Sequence, residues 1–228
     1  MTRICVILLF VMLLSCGGRS PQNGREGKLT VYASIAPYAG IIERIAGTHV
    51  DVHVLVREGQ DPHTYAPTPQ QVMRLGDAGV LFTGGLPFEH RIVEKLKDKG
   101  PRVVDVTAGI SKRRMASELD ESADHHDHEH DHDHDHDHGH DHGHDDALDP
   151  HVWLSPPLVK VVARNVAKTL KEVDPAHAAE YEANVQDFLA RADQVHKKIK
   201  RVLAPYKGKE FFVYHPAFGY FARAYGLE

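Results

Sequence analysis

A histidine-rich tract that cannot form a core lies between two parts of this chain that can fold. Eleven of the twenty residues from His125 to His144 are histidine, and the others are Asp, Glu or Gly. A segment without apolar side chains cannot form a core, so we expect the insert over residues 111–146 to be disordered without metal. Its imidazole and carboxylate groups are ligands for zinc and related divalent metals.

Most of the acidic charge of the chain is concentrated around this insert. The formal net charge is −5, yet residues 118–149 carry fourteen acidic side chains and no Lys or Arg, which leaves +9 for the rest. The basic side chains of that remainder are scattered along predicted helix faces rather than clustered. This distribution indicates solvated surfaces and does not favour a nucleic-acid-binding protein.

The first sixteen residues have the features of a bacterial lipoprotein signal peptide. Arg3 precedes an apolar run from Ile4 to Leu14, which is too short to span a bilayer and is typical of a secretory signal. The Leu-x-Ser-Cys sequence ending at Cys16 resembles the lipoprotein box, in which the cysteine is lipidated. The alternative is an ordinary secretory signal with a coincidental cysteine. We expect lipidated Cys16 to anchor a periplasmic or cell-surface protein to the membrane through a polar tether, residues 17–27.

The cysteine content limits how the mature protein can bind metal. Cys5 and Cys16 are the two cysteines of the chain, and both lie in the leader. The body of the protein therefore has no thiolate for a zinc site and no internal disulfide. Any metal site there must use histidine and carboxylate.

Strands alternate with helices before the insert, which predicts an α/β fold with a parallel sheet. Short runs of β-branched and aromatic residues are each followed by apolar residues at helical spacing. The predicted strands cover 29–34, 50–56, 79–83 and 102–107, and the predicted helices cover 37–47, 68–77 and 87–100. In such sheets, ligands bind beyond the carboxyl ends of the strands.

Two helices are predicted after the insert, and the second is unusually long. The first covers residues 158–173, and the second covers 175–203 without an internal Pro or Gly. At 1.5 Å per residue the second helix is about 40 Å long, which is enough to support two lobes. We expect a fifth strand at 210–214 and a helix from Ala217, as the start of a second lobe that is mostly missing because the chain is truncated.

Three histidines outside the tract have the sequence context of metal ligands. His63 lies in Asp-Pro-His-Thr-Tyr, His151 in Asp-Pro-His-Val-Trp and His215 in Tyr-His-Pro-Ala-Phe. A neighbouring proline stiffens the backbone, and nearby aromatic rings exclude water. The Asp of each Asp-Pro-His motif can accept the second imidazole N–H or begin a tight turn. A single loop histidine is usually an ordinary surface residue, so the repeated motif carries the prediction.

The segments around these histidines resemble those of a known family. In order and approximate spacing, Asp61–Gln70, Asp149–Pro156 and His215–Glu228 are similar to three signature segments of the solute-binding proteins of bacterial zinc and manganese ABC transporters. The resemblance covers nearly the whole chain after the leader. It implies two α/β lobes, joined by a rigid backbone helix, that hold one metal ion in the cleft between them.

The resemblance also implies a domain organisation and a ligand set. His63 and His151 would come from the first lobe and His215 from the second. The implied parts are an N-terminal lobe at 28–155 with the insert, a further helix of that lobe at 156–174, a linker helix at 175–204 and the start of a C-terminal lobe at 208–228.

Zinc is the predicted metal, and manganese remains the alternative. Three imidazoles favour zinc, because manganese prefers carboxylate and water. The resemblance points the same way, since a histidine-rich insert marks the zinc branch of the family. Manganese-type members supply an acidic fourth ligand late in the second lobe, in a region that this chain lacks. The resemblance implies a monomeric binding protein, not an enzyme, that delivers zinc to a permease in the inner membrane.

The insert is predicted to bind several zinc ions loosely and without one defined geometry. It could collect zinc near the cleft, act as a sensor or buffer, or be a dispensable loop. Because neutral imidazole is required, binding should weaken as the pH falls through about 6.5. The histidines concerned are His125, His126, His128, His130, His132, His134, His136, His138, His140, His142 and His144.

Two other functions remain open from the sequence. A zinc-storage, buffering or adhesion lipoprotein would use the tract alone. A zinc hydrolase would use a His₃ site with an open position to activate water. Against the hydrolase, no His-Glu-x-x-His element lies outside the histidine-rich tract, and no evident general base lies beside the three histidines.

Overall fold

A computed structural model describes residues 27–62, 64–96, 100–115 and 148–228. The predicted signal peptide, His63 and the histidine-rich tract lie outside these residues. The strands are Leu29–Ile35 (β1), Val50–Val56 (β2), Val80–Thr83 (β3) and Arg102–Asp105 (β4). The helices are Ala36–Ala46 (α1), Pro69–Gly76 (α2), Pro87–Lys95 (α3), Pro156–Val173 (α4), Ala178–Leu203 (α5) and Gly219–Tyr225 (α6). The predicted α/β fold with a parallel sheet and a long helix is confirmed.

The four strands form one parallel sheet in the order β2-β1-β3-β4. The chain moves outward from β1 to β2, then crosses back through α2 to β3 on the other side of β1. The order therefore reverses between β1 and β3, and their carboxyl ends flank the crevice where parallel sheets bind ligands. Ile35 and Thr83 end these two strands at that edge.

The core lies between this sheet and helices α1, α4 and α5. The two central strands are completely covered, with Val31 and Phe82 each 0% exposed, as expected for strands buried on both faces. On the helices, Ile42 of α1, Val166 of α4 and Tyr181 of α5 are fully buried as well. Within each of these helices the buried residues recur at helical spacing, so burial of one apolar stripe holds the helix against its neighbours.

A capping box starts α2, within the helix predicted over residues 68–77. The Thr68 hydroxyl accepts a hydrogen bond from the Gln71 amide at 3.2 Å, and the Gln71 side chain accepts one from the Thr68 amide at 2.9 Å. Two amide groups that the first helical turn leaves without partners are satisfied in this way. The cap fixes the point where the chain leaves the Pro-rich loop that contains His63.

The predicted fifth strand is wrong. Residues 210–214 are not a strand, and the side chains of Phe212 and Tyr214 are 92% and 104% exposed. A strand needs a neighbouring strand for its backbone groups, and none lies beside this segment in the part of the chain that the structure describes. The local backbone bonds are instead to the last residue, from Phe211 N–H to the Glu228 carbonyl and from Glu228 N–H to the Lys209 carbonyl, both at 3.0 Å.

Two smaller observations complete the fold. Helix α3 ends at Lys95 rather than at the predicted residue 100, with residues 97–99 outside the described range. Among the helices that the structure describes, none is both long enough and apolar enough to cross a membrane.

Candidate metal centre

Asp149 and His151 are buried where the chain returns to the fold after the insert. Asp149 is 1% exposed and His151 is 3% exposed. The Asp149 amide donates to the Arg113 carbonyl at 2.8 Å, and an antiparallel bridge joins Arg114 to Leu148. The backbone that carries His151 is therefore held against the segment that follows β4, near the carboxyl edge of the sheet.

The Asp149 carboxylate orients the His151 ring. Its Oδ1 accepts the His151 backbone N–H at 2.9 Å and the ring Nδ1–H at 2.8 Å. A carboxylate can only accept, so this contact assigns the ring proton to Nδ1 and leaves the Nε2 lone pair available to a metal. The expected hydrogen bond within the Asp-Pro-His motif is thus present at its second copy.

An aromatic wall supports the His151 ring on the side of the core. The centroids of the His151 and Trp153 rings are 5.1 Å apart, and Tyr38 meets Trp153 edge to face at 5.8 Å. Burial, together with the negative charges of Glu89 and Asp105, raises the pKa of Tyr38 well above its usual value. The phenol therefore stays neutral, and this side of His151 is apolar and shielded from water.

His215 brings a second imidazole to the same point. Its Nε2 lies 3.2 Å from Nε2 of His151, and the two rings meet edge to face with an interplanar angle of 80°. Two nitrogen ligands of a tetrahedral zinc ion, each about 2.0–2.1 Å from the metal, are about 3.3 Å apart. The spacing of the two Nε2 atoms is therefore close to that of two ligands of one zinc ion.

Without metal, the same spacing suits a hydrogen bond between the rings. Because the Nδ1–H of His151 faces Asp149, its Nε2 can accept a proton from Nε2–H of His215. For Nε2 of His215 to bind an ion instead, the His215 ring must carry its proton on Nδ1.

The structure brings together two of the three predicted cleft ligands. His63, the eleven tract histidines and Cys16 lie outside the described residues. Among residues 27–62, 64–96, 100–115 and 148–228, no group of three His, Cys, Asp or Glu side chains is arranged to hold a metal. A complete ligand set therefore needs a group from elsewhere, and His63 is the predicted one.

Sequence reasoning missed one residue of this centre, Tyr220. It is 6% exposed, and its hydroxyl donates to the Asp149 carbonyl at 2.9 Å and accepts the Arg113 amide at 3.1 Å. It joins helix α6, which follows His215, to the segment that carries His151. The sequence signal was weak, since an aromatic residue near a ligand motif reads equally well as an apolar packing residue.

Two carboxylates near this part of the sheet, Glu89 and Asp105, organise loops. Glu89 accepts the backbone amides of Gly84, Gly85 and Leu86 within 3.0 Å. Burial raises its pKa, although these hydrogen bonds and the Ser34 hydroxyl oppose the shift. The Asp105 carboxylate accepts the Thr107 amide and hydroxyl.

Comparisons with known proteins agree with this fold. The family model of the periplasmic zinc-uptake complex component A, ZnuA, matches residues 31–228. The high-affinity zinc uptake system protein ZnuA of Bacillus subtilis (strain 168) is 30% identical over 96% of this chain and 66% of its own length. The manganese ABC transporter substrate-binding lipoprotein PsaA of Streptococcus anginosus is 27% identical over 99% of this chain and 69% of its own length.

Solved structures give the same result. A crystal structure of a ZnuA with residues 138–173 deleted and zinc bound has a TM-score of 0.71 and 35% identity, over 88% of this chain and 68% of that one. The zinc-bound AdcA of Streptococcus pneumoniae, at 22% identity and a TM-score of 0.70, shares the fold. The present chain spans about two thirds of the length of the curated relatives that it matches.

The fold and the paired imidazoles define a metal-binding protein of the α/β solute-binding class. More specifically, the chain belongs to the ZnuA family, the substrate-binding components of metal ABC transporters. Members of this family are transporter components and not enzymes. Its relatives include both zinc and manganese proteins.

Proposed function

We propose that this protein captures zinc outside the cytoplasm and delivers it to the membrane permease of an ABC transporter. Family membership supports uptake of a metal. The choice of zinc rests on one observation above all: two imidazole nitrogens, Nε2 of His151 and Nε2 of His215, meet 3.2 Å apart. Imidazole suits zinc better than manganese, and this spacing fits two ligands of a tetrahedral zinc ion.

The surroundings of the pair also favour zinc over manganese. Manganese prefers oxygen ligands, and the nearest buried carboxylate is that of Asp149. Its Oδ1 is engaged by Nδ1–H and the backbone amide of His151, on the side of the ring away from Nε2. Asp149 therefore orients a ligand and does not supply a donor to the metal in this arrangement.

His63 is proposed as the third ligand and the tract as a set of weak sites. The His63 assignment rests on the duplicated Asp-Pro-His motif, whose other copy has the ligand-orienting hydrogen bond. The tract has many equivalent imidazole and carboxylate pairs, so it would load several ions loosely while the cleft holds one tightly. Anchoring through Cys16 would keep both near the permease.

Titration with zinc tests the ligand assignment. Replacing His151 with alanine should weaken the tight site more than a hundredfold, because loss of a ligand exceeds the effect of losing its supporting contacts. His63→Ala and His215→Ala should weaken it as well. The exposed His90 on α3 supplies the matched control, and His90→Ala should leave the affinity unchanged. Unchanged tight binding in both His63→Ala and His151→Ala would defeat the proposal.

Removing the tract separates transport from storage. A variant lacking residues 124–146 should lose the loose sites and keep one tight site. Loss of all bound zinc in that variant would favour a storage protein that uses the tract alone. Competition with manganese in the same variant tests the metal, and a preference for manganese would reject the zinc assignment.

A further inference from the structure

We infer that the Tyr220 hydroxyl is a positioning group that sets the His151–His215 spacing before any metal binds. This inference rests on the proposed function, since it concerns how that site is assembled. It assigns a role to a residue that touches no metal and acts only through the backbone of the ligand segments.

The first step is the hydrogen bonding of the hydroxyl itself. Tyr220 O–H donates to the Asp149 carbonyl at 2.9 Å and accepts the Arg113 N–H at 3.1 Å. Asp149 N–H in turn donates to the Arg113 carbonyl at 2.8 Å. One buried hydroxyl therefore ties helix α6 to both backbone segments at the base of the His151 loop.

The second step links these bonds to the two imidazoles. Asp149 makes both contacts: its backbone carbonyl accepts the Tyr220 hydroxyl, and its carboxylate orients the His151 ring. On the other side, α6 begins four residues after His215, and the Ala217 amide bonds the His215 carbonyl at 2.7 Å. Only a short, internally bonded connection separates His215 from Tyr220, so the position of α6 determines that of His215.

The third step is energetic. His215 lies in an exposed segment, so contacts within that segment do little to fix its ring. Ordering it at the moment of binding would cost conformational entropy and lower the affinity. Phenylalanine at 220 would keep the ring but leave the Asp149 carbonyl and Arg113 amide without their partner. Buried backbone groups without partners are costly, so the two segments would move apart to reach water.

Tyr225 provides a matched control on the same helix. It is 7% exposed, and its hydroxyl bonds Nδ1 of His196 at 3.2 Å, away from both ligand segments. Zinc affinity of the full chain should fall about tenfold in Tyr220→Phe and less than about twofold in Tyr225→Phe. In a His215→Ala background, Tyr220→Phe should cause no further loss, because the hydroxyl acts by placing His215. Equal losses in both backgrounds would show a merely structural role and overturn the inference.

A measurement on the unmodified protein covers the case in which Tyr220→Phe does not fold. Hydrogen exchange of the Arg113 amide should be slow in zinc-free protein, because its acceptor is in place before the metal arrives. Exchange at the rate of an unprotected amide would overturn the inference. A wild-type protein that binds no zinc refutes the proposed function itself, whereas a wild type that binds while Tyr220→Phe binds equally well refutes only the role of Tyr220.

Discussion

The α/β unit around the sheet and the C-terminal segment over residues 206–228 each supply one imidazole, but they hold it very differently. In the first, Phe82 is 0% exposed and His151 is enclosed and oriented by Asp149. In the second, Phe212 is 92% exposed and His215 lies at the surface. His151 is therefore fixed by its own surroundings, whereas His215 depends on contacts across the boundary between the α/β unit and the C-terminal segment.

A groove lies at the boundary between the two regions. It has a volume of about 740 Å³ and is open to solvent, with Asp149 on one side and Phe211, Phe218 and Arg223 on the other. Beside it, the Tyr220 hydroxyl bonds the backbone of Asp149 and Arg113 and so joins the two regions.

The two regions should differ most in how much a Phe→Ala substitution lowers the free energy of unfolding. Phe82→Ala removes a fully buried ring from β3 and should lower the free energy of unfolding by about 3–5 kcal/mol. Phe212→Ala removes a ring that touches almost only water and should change it by less than about 0.5 kcal/mol. Urea denaturation followed by circular dichroism measures both. A large loss for Phe212→Ala would mean that the C-terminal segment is buried in solution, and the contrast between the regions would disappear.

A second prediction concerns how His151 is oriented. Asp149→Asn should lower zinc affinity by about 10–100-fold, since the amide is a weaker acceptor for the ring N–H. Asp187→Asn on α5 is the control for the lost charge, because Asp187 pairs only with the exposed Arg191 in the described structure. Isothermal titration compares the three proteins. Equal affinity in wild type and Asp149→Asn would show that the backbone alone places the ring.

The smallest predicted effect is on the pH dependence of stability, and it comes from Asp174 at the junction of α4 and α5. Partial burial would raise the pKa of Asp174, but hydrogen bonds from the Tyr181 hydroxyl and the His177 ring outweigh it and hold the pKa below its usual value. A carboxylate with a lowered pKa stabilises the fold above its unfolded pKa, about 3.9, and loses this contribution as the pH falls through the folded value.

Tyr181→Phe should therefore destabilise the protein modestly at pH 5, and the difference from wild type should shrink near pH 2.5. Tyr206→Phe, at a hydroxyl on an exposed ring, should have no such pH dependence. Urea unfolding at the two pH values provides the measurement. A difference that grows on acidification would contradict the assigned direction of the Asp174 shift.

Much of the fold could be predicted because local patterns and tertiary structure agree. Runs of β-branched and aromatic residues predicted the four strands, and apolar residues at helical spacing predicted the helices between them. The segment at 210–214 has the same strand-like composition, yet it is not a strand. Strand propensity describes a residue's fit to a pleated surface, and without neighbouring strands the composition has nothing to pair with.

In the candidate site as well, the sequence predicts local contacts but not contacts between distant positions. The Asp-Pro-His motif predicted the carboxylate contact to His151, because both groups lie two residues apart and the interaction is local. The contact between Tyr220 and Asp149 joins positions 71 residues apart, and no local pattern encodes it. Pairing of His151 with His215 was accessible only through the family resemblance, since spacing alone cannot show which loops meet.

The bridge between Arg114 and Leu148 has an evolutionary consequence. Because Arg114 and Leu148 lie side by side, the number of residues between them can change without displacing the backbone on either side. Doubling the length of a flexible loop whose ends meet costs only about 0.6 kcal/mol. Evolution can therefore lengthen or shorten this part of the sequence while His151 keeps its place.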